Sequence, residues 1–165
     1  MALDPNSLKQ QLLNLFNSKA DTYDAAAQAW VDAYSAYAAV GQAFGITPTL
    51  LPVGKSAMKS VLLAQFIDIS PSPTKAATVA SSIATALTAF WLSPPVQFSL
   101  PAIFVTAVTG TPILTTALQT VFASVLSTDT PDIKATQLSS AMDIFTKTVT
   151  VTNFVPPVPV ITTLI

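Results

Sequence analysis

A chain of 165 residues suits one compact domain, able to remove roughly two thirds of its unfolded surface from water. Its charged side chains are seven Lys and eight Asp, 9% of the residues against about 25% in an ordinary soluble domain, and Arg, Glu, His and Cys are absent. That composition excludes an imidazole base, a thiolate nucleophile, the usual zinc ligands and the guanidinium fork that grips phosphate, and it leaves no basic stripe for nucleic acid.

The start, Met1-Ala2-Leu3-Asp4-Pro5-Asn6, has an acid and a proline where a signal peptide has a basic region and an apolar run, so a non-secreted chain is expected. The first helix is expected over 7–16, with Leu8, Leu12 and Phe16 on one face. A turn and a second helix, 24–43, follow. There Trp30, Tyr34 and Tyr37 share a face, and that spacing on an alanine-rich helix points to core packing rather than a stacking platform for sugars or bases.

Gly54-Lys55-Ser56 ends like a phosphate loop, but that motif needs a glycine five residues earlier and position 49 is Thr. Gly54 is therefore expected in a turn, with Lys55-Ser56 opening the third helix. In that helix Met58, Leu62 and Phe66 repeat the spacing of Leu8, Leu12 and Phe16, and Leu114, Leu118 and Phe122 repeat it again further along. Each copy is followed by a turn and a helix rich in small residues: 24–43, 74–92 and 131 to about 147. Ser72-Pro73-Thr74 and Thr130-Pro131-Asp132 carry helix-start chemistry, and the second helices present Ile83, Leu87 and Phe90, then Leu138, Ala141 or Met142, and Phe145. The pattern predicts three helical hairpins, over roughly 5–45, 55–92 and 112–148, in a single domain of residues 1–165. Alanine-rich faces without accompanying charges are poor solvent faces, so another chain is expected to cover part of them.

No charge occurs between Lys75 and Asp129, but the apolar runs 76–92 and 112–126 fall short of the roughly 20 residues needed to span a bilayer, so membrane insertion is not expected. Two arms, 93–108 and 149–165, are expected to be extended, and their proline-containing stretches 93–101 and 153–160 to stay out of a sheet interior, because proline lacks the amide donor. The β-branched alternation over 146–152 leaves room for one short β-ribbon, paired either with 102–108 or with another subunit. The final stretch is apolar and is expected to seek a groove, on a neighbour or on its own body. The candidate interaction residues are Phe98 and Leu100 on the first arm, and Phe154, Val155, Pro156, Pro157, Val158, Val160, Ile161, Leu164 and Ile165 on the second.

The carboxylates Asp21, Asp24 and Asp32 lie on or near the second helix and Asp129 and Asp132 begin the sixth; capping and the helix dipole favour Asp at a helix start, and no His, Glu or Arg is present to orient or tune a carboxylate pair. No catalytic, cofactor or metal site is expected, and the fold class expected is mainly α. The Met-Ala-Leu-Asp-Pro start, the absence of Cys, the Ala and Thr richness, the repeated helical body and the proline-containing apolar arms together resemble small accessory structural proteins of tailed bacteriophage virions. The resemblance implies a non-enzymatic, homo-oligomeric virion component. Its partners would be other virion structural proteins, as in capsid decoration, or alternatively in a neck or tail. A membrane-associated helical protein and a soluble helical adaptor are the other classes this composition admits.

Overall fold

The structure is a computed structural model that describes residues 3–18, 20–49, 52–67, 73–92, 95–100, 102–123, 130–154 and 159–165. Its order is α1 (Pro5–Asn17), α2 (Tyr23–Ala38), β1 (Pro48–Thr49), α3 (Pro52–Ile67), α4 (Pro73–Leu92), β2 (Gln97–Phe98), β3 (Ile103–Val108), α5 (Thr111–Ala123), α6 (Pro131–Thr146), β4 (Val149–Asn153) and β5 (Val160–Thr163). The mainly α class and the three helical hairpins stand as expected.

Local chemistry starts the helices. Asp4 caps α1 by accepting from the Asn6 amide at 3.0 Å, Thr22 caps α2 through the Ala25 amide at 3.1 Å, and Thr130 caps α6 ahead of Pro131. The Ser72 part of the cap expected for α4 lies outside the described residues. Helix α2 stops at Ala38, five residues short of expectation, because the chain then turns tightly. Phe44 and Gly45 both take positive φ (54° and 75°), closing a two-residue turn in which Ala43 and Ile46 exchange amide hydrogen bonds of 3.0 and 2.9 Å. Helix α3 starts earlier than expected, at Pro52. Gly54 thus lies inside its first turn, where a Cβ would come within 2.7 Å of the Phe90 carbonyl oxygen. The residue is a close-approach position between α3 and α4 rather than a turn.

Each helix packs against the next in sequence, and α6 packs back against α1, so the three hairpins form a closed ring. The repeated apolar positions Leu8, Met58 and Leu114, and Leu12, Leu62 and Leu118, are all buried, as are Trp30, Tyr34 and Tyr37, Ile83, Leu87 and Phe90, and Leu138, Met142 and Phe145. Each large side chain so buried stabilises the fold by about 1.5–3 kcal/mol.

Two seams of the ring carry matching ion pairs. Lys9 of α1 reaches Asp132 of α6 at 2.9 Å, and Lys59 of α3 reaches Asp24 of α2 at 2.9 Å. Lys9 and Lys59 are equivalent in the repeat, and Asp24 and Asp132 stand six residues before the equivalent Trp30 and Leu138. At the third seam, between α4 and α5, Ala77 and Thr115 occupy those positions. Exposed pairs of this kind contribute about 0–1 kcal/mol each, so the apolar stripes hold the seams and the ion pairs mark their equivalence.

Of the small residues on these helices, Ala27, Ala38, Ala80, Ala84 and Ala86 are buried within the ring itself. Small side chains there let the helix backbones approach.

The chain emerging from α2, α4 and α6 in turn supplies the strands of one antiparallel five-stranded sheet, ordered β1-β2-β3-β4-β5. This is more than the single short ribbon expected, and it corrects the expectation that the stretch 93–101 stays out of a sheet interior, because Gln97–Phe98 forms β2 between β1 and β3. The alternation after α6 becomes β4, which takes the first of the two pairings left open and joins β3, through Ile103↔Asn153, Phe104↔Thr152 and Val105↔Val151, with a bulge at Thr106. Pro48 lies in the edge strand β1, where a missing amide leaves no internal ladder bond unmade.

Candidate interaction surface

Strand alternation divides the sheet into two faces. Ile103, Val105, Val149 and Val151 are buried against the helices and join the same core as Trp91 and Phe145. The opposite face presents Phe104, Thr106, Thr152, Phe154 and Ile161. There the rings of Phe104 and Phe154 stack with centroids 4.9 Å apart and planes 13° from parallel. Thr106 and Thr152 share a 2.9 Å hydroxyl hydrogen bond, and Thr152, flanked in the register by Phe104 and Ile161, is buried. Phe154 is 46% exposed and Ile161 67% exposed, so the apolar part of this face meets solvent. Leu100 is exposed in the turn before β3, where its carbonyl accepts from the Ile103 amide at 3.0 Å. No ionisable side chain occurs after Lys147.

The candidate residues divide sharply. Leu100, Phe154, Val160, Ile161 and Ile165 are exposed. Phe98 and Leu164, at 3% and 1% exposure, belong to the chain's own core, and this corrects their assignment as partner contacts. Phe98 pairs across from Pro48, and Leu164 donates its amide to Val149. Val155, Pro156, Pro157 and Val158 lie outside the described residues. The tail docks on its own body: β5 adds to β4 through Thr150↔Thr163, Val151↔Thr162, Thr152↔Ile161 and Asn153↔Val160. Ile165 then exchanges two 3.1 Å amide hydrogen bonds with Gln42.

Phe104 was missed by sequence reasoning, although the alternation Ile103-Phe104-Val105 marks it as the outward member of its strand. Phe44, held at positive φ and partly exposed, left no sequence signal beyond the glycine after it.

No family model, curated protein or solved structure matches the chain. The residues themselves must therefore carry any functional reading.

Three of the remaining carboxylates have structural partners. Asp24 and Asp132 make the seam ion pairs, Asp32 accepts from Gln28 at 2.9 Å, and Asp129 lies outside the described residues. Asp21 borders an open apolar groove at the α1–α2 tip, lined by Leu15, Phe16, Tyr23, Ala26 and Trp30. Among the described residues no helix is long and apolar enough to cross a membrane.

Polar order is concentrated in the core, where each hairpin contributes one group to a buried chain of hydrogen bonds. The Trp91 indole donates to the Tyr34 hydroxyl at 2.8 Å, Tyr34 and Thr146 lie 2.9 Å apart, and Thr146 donates to the Met142 carbonyl at 2.7 Å. Because the single Thr146 proton is committed to Met142, Tyr34 is the donor to Thr146. Beside it Tyr37 donates to Asp143, whose second oxygen holds Lys147 at 2.8 Å. Burial pushes the Tyr34 hydroxyl well above its ordinary pKa; burial, then the hydrogen bond to Asp143, does the same for Tyr37. Both hydroxyls are structural donors held in their neutral form.

Proposed function

We propose that this chain is a non-catalytic structural subunit that attaches to neighbouring protein subunits through the solvent face of its sheet, as an accessory component of a virion surface. The observation that supports the reading is the stacked Phe104–Phe154 pair beside exposed Ile161, with exposed Leu100 in the turn before β3, on a sheet whose other face is locked into the core. An uncharged apolar patch held on a rigid support loses little conformational entropy when covered. The described strands of the arms supply the docking face. Many copies on one particle would make modest individual contacts sufficient, because each bound site raises the effective concentration of the next contact. The virion assignment comes from the compositional resemblance.

Mass spectrometry of virions purified from the native source tests the reading, with the chain expected in stoichiometric amount and its absence overturning the virion assignment. Phe154→Ser should then lower the chain's occupancy on those particles by about 30-fold, the effect of losing an interface anchor worth roughly 2 kcal/mol, with thermal stability nearly unchanged. Undiminished occupancy would remove the sheet face as the docking surface.

A further inference from the structure

The free edge of β5 has a defined set of unpaired backbone groups. Leu164 donates to Val149, so the antiparallel alternation turns Val160, Thr162 and Leu164 toward β4 and Ile161, Thr163 and Ile165 outward. Gln42 occupies the outward groups of Ile165. At the other end Pro159 offers no amide. Among the described residues, the N–H and C=O of Ile161 and Thr163 have no backbone partner, the Thr163 carbonyl accepting only a long 3.4 Å bond from the neighbouring Thr162 hydroxyl, which leaves an open window of two donors and two acceptors centred on Thr162.

We propose that a second copy of this chain occupies that window, with β5 pairing antiparallel to β5 about a two-fold axis at Thr162. In this register Ile161 pairs with Thr163 of the other copy and Thr163 with its Ile161, so four hydrogen bonds form and no group in the window is left over. Shifting the axis to Ile161 would set each Thr163 carbonyl against the Pro159 ring, and shifting it to Thr163 would place Ile161 on the groups of Ile165 that Gln42 holds; with the axis at Thr162 only Pro159, which has no amide to place, falls opposite Ile165, and there the second copy's chain leaves the edge beside Gln42. The charge pattern also favours a like partner. The edge carries none of the lysines, inward charges or bulges that blunt free strands, and two copies of an uncharged segment meet without repulsion or stranded charge. All four residues of β5 are β-branched, and Thr162 meets Thr162 as a close cross-strand pair. The inference deepens the proposed function by naming the self-contact and its register, but it rests on the edge and not on the virion assignment.

A window this short makes a weak contact, so the test traps it. The chain has no cysteine, and Thr162→Cys places two thiols on residues about 4.5 Å apart at Cα, within disulfide reach. Mild oxidation of the purified full-length variant should yield a disulfide-linked dimer. Ile161→Cys, whose equivalents would be about 8–9 Å apart across the axis, should link at least tenfold less. Thr163→Pro removes an outward amide that the β4–β5 ladder does not use. It should weaken wild-type self-association, followed by sedimentation velocity, at least tenfold at unchanged melting temperature. A chain that stays monomeric at every concentration overturns the proposal, as does equal linking by both cysteine variants. A Thr162→Cys chain that links to a different protein in purified particles would assign the edge to a foreign strand instead. A dimer that forms while the chain is absent from virions keeps this inference and removes the proposed function; a monomer bound to virions does the reverse.

Discussion

The indole N–H of Trp91 donates to the hydroxyl of Tyr34 across 2.8 Å, with both side chains almost wholly buried. The bond joins the second hairpin to the first, and Thr146 extends it to the third, so one polar chain records how the three units are set against each other. Phe90 reinforces the arrangement, meeting Tyr34 and Trp91 edge to face with centroids 5.4 and 5.3 Å away. Apolar burial supplies most of the stability, but it is non-directional. The hydrogen-bond chain selects one register among several of similar burial.

Tyr34→Phe should therefore cost more than the lost hydroxyl suggests, because it strands the Trp91 donor in the core. The expected loss is about 1–3 kcal/mol. Denaturant unfolding of Tyr34→Phe, Thr146→Val and the double variant should show coupling of at least about 0.5 kcal/mol. Strict additivity would mean that the chain of bonds is not a unit.

Alkaline pH should unfold the protein through the same tyrosines. In the unfolded chain they ionise near pH 10, while the folded state keeps Tyr34 and Tyr37 protonated to higher pH. Their raised folded pKa values make this contribution fully present below about pH 10 and lost as pH rises beyond it, by up to about 1.4 kcal/mol per pH unit for each group. Unfolding free energies measured from pH 8 to 12 should show that fall, and the Tyr34→Phe variant should lose about half of the slope. An unchanged slope in that variant would refute the assignment.

Gly54→Ala should destabilise although alanine is the better helix former. A Cβ at this position meets the Phe90 carbonyl at 2.7 Å, and α3 must move away from α4 to admit it. Overpacking of this kind costs about 1–3 kcal/mol, against a propensity gain of about 1 kcal/mol. A higher melting temperature for Gly54→Ala would show that the seam is looser than its geometry indicates.

The quasi-equivalence of the seams can be tested by completing it. Thr115→Lys with Ala77→Asp places at the third seam the pair found as Lys9–Asp132 and Lys59–Asp24. The double variant should exceed the sum of the single variants by about 0.3–0.5 kcal/mol at low salt, with the gain screened as salt rises. No coupling would mean that the third seam departs from the geometry of the other two.

Much of the helical body was legible because its signal is local and repeated. Leu8, Leu12 and Phe16 recur at the same spacing in two later segments, and any helix carrying that stripe must bury it. Helix ends were readable where a side chain caps them, as at Thr130-Pro131, and misread where a tertiary approach decides them, as at Gly54. The interaction face was half legible. The apolar content of both arms was plain, but an extended apolar residue points inward or outward according to a strand register set by its neighbours. Phe98 and Phe154 therefore looked alike in sequence and ended on opposite sides of the boundary between core and solvent.

Composition and periodicity suffice for a chain stripped of imidazole, thiol and guanidinium groups, six helices in three hairpins, and apolar arms too rich in β-branched residues and proline to be helical. The closing of the hairpins into a ring, the meeting of the three stretches that leave them in one sheet, and the pairing of the tail with its own body arise from contacts between distant segments. Periodicity reports which face of an element is apolar. Pairing between segments distant in the chain depends on loop closure and on which backbone donors and acceptors remain unmet, and that is settled only when all the elements are in place.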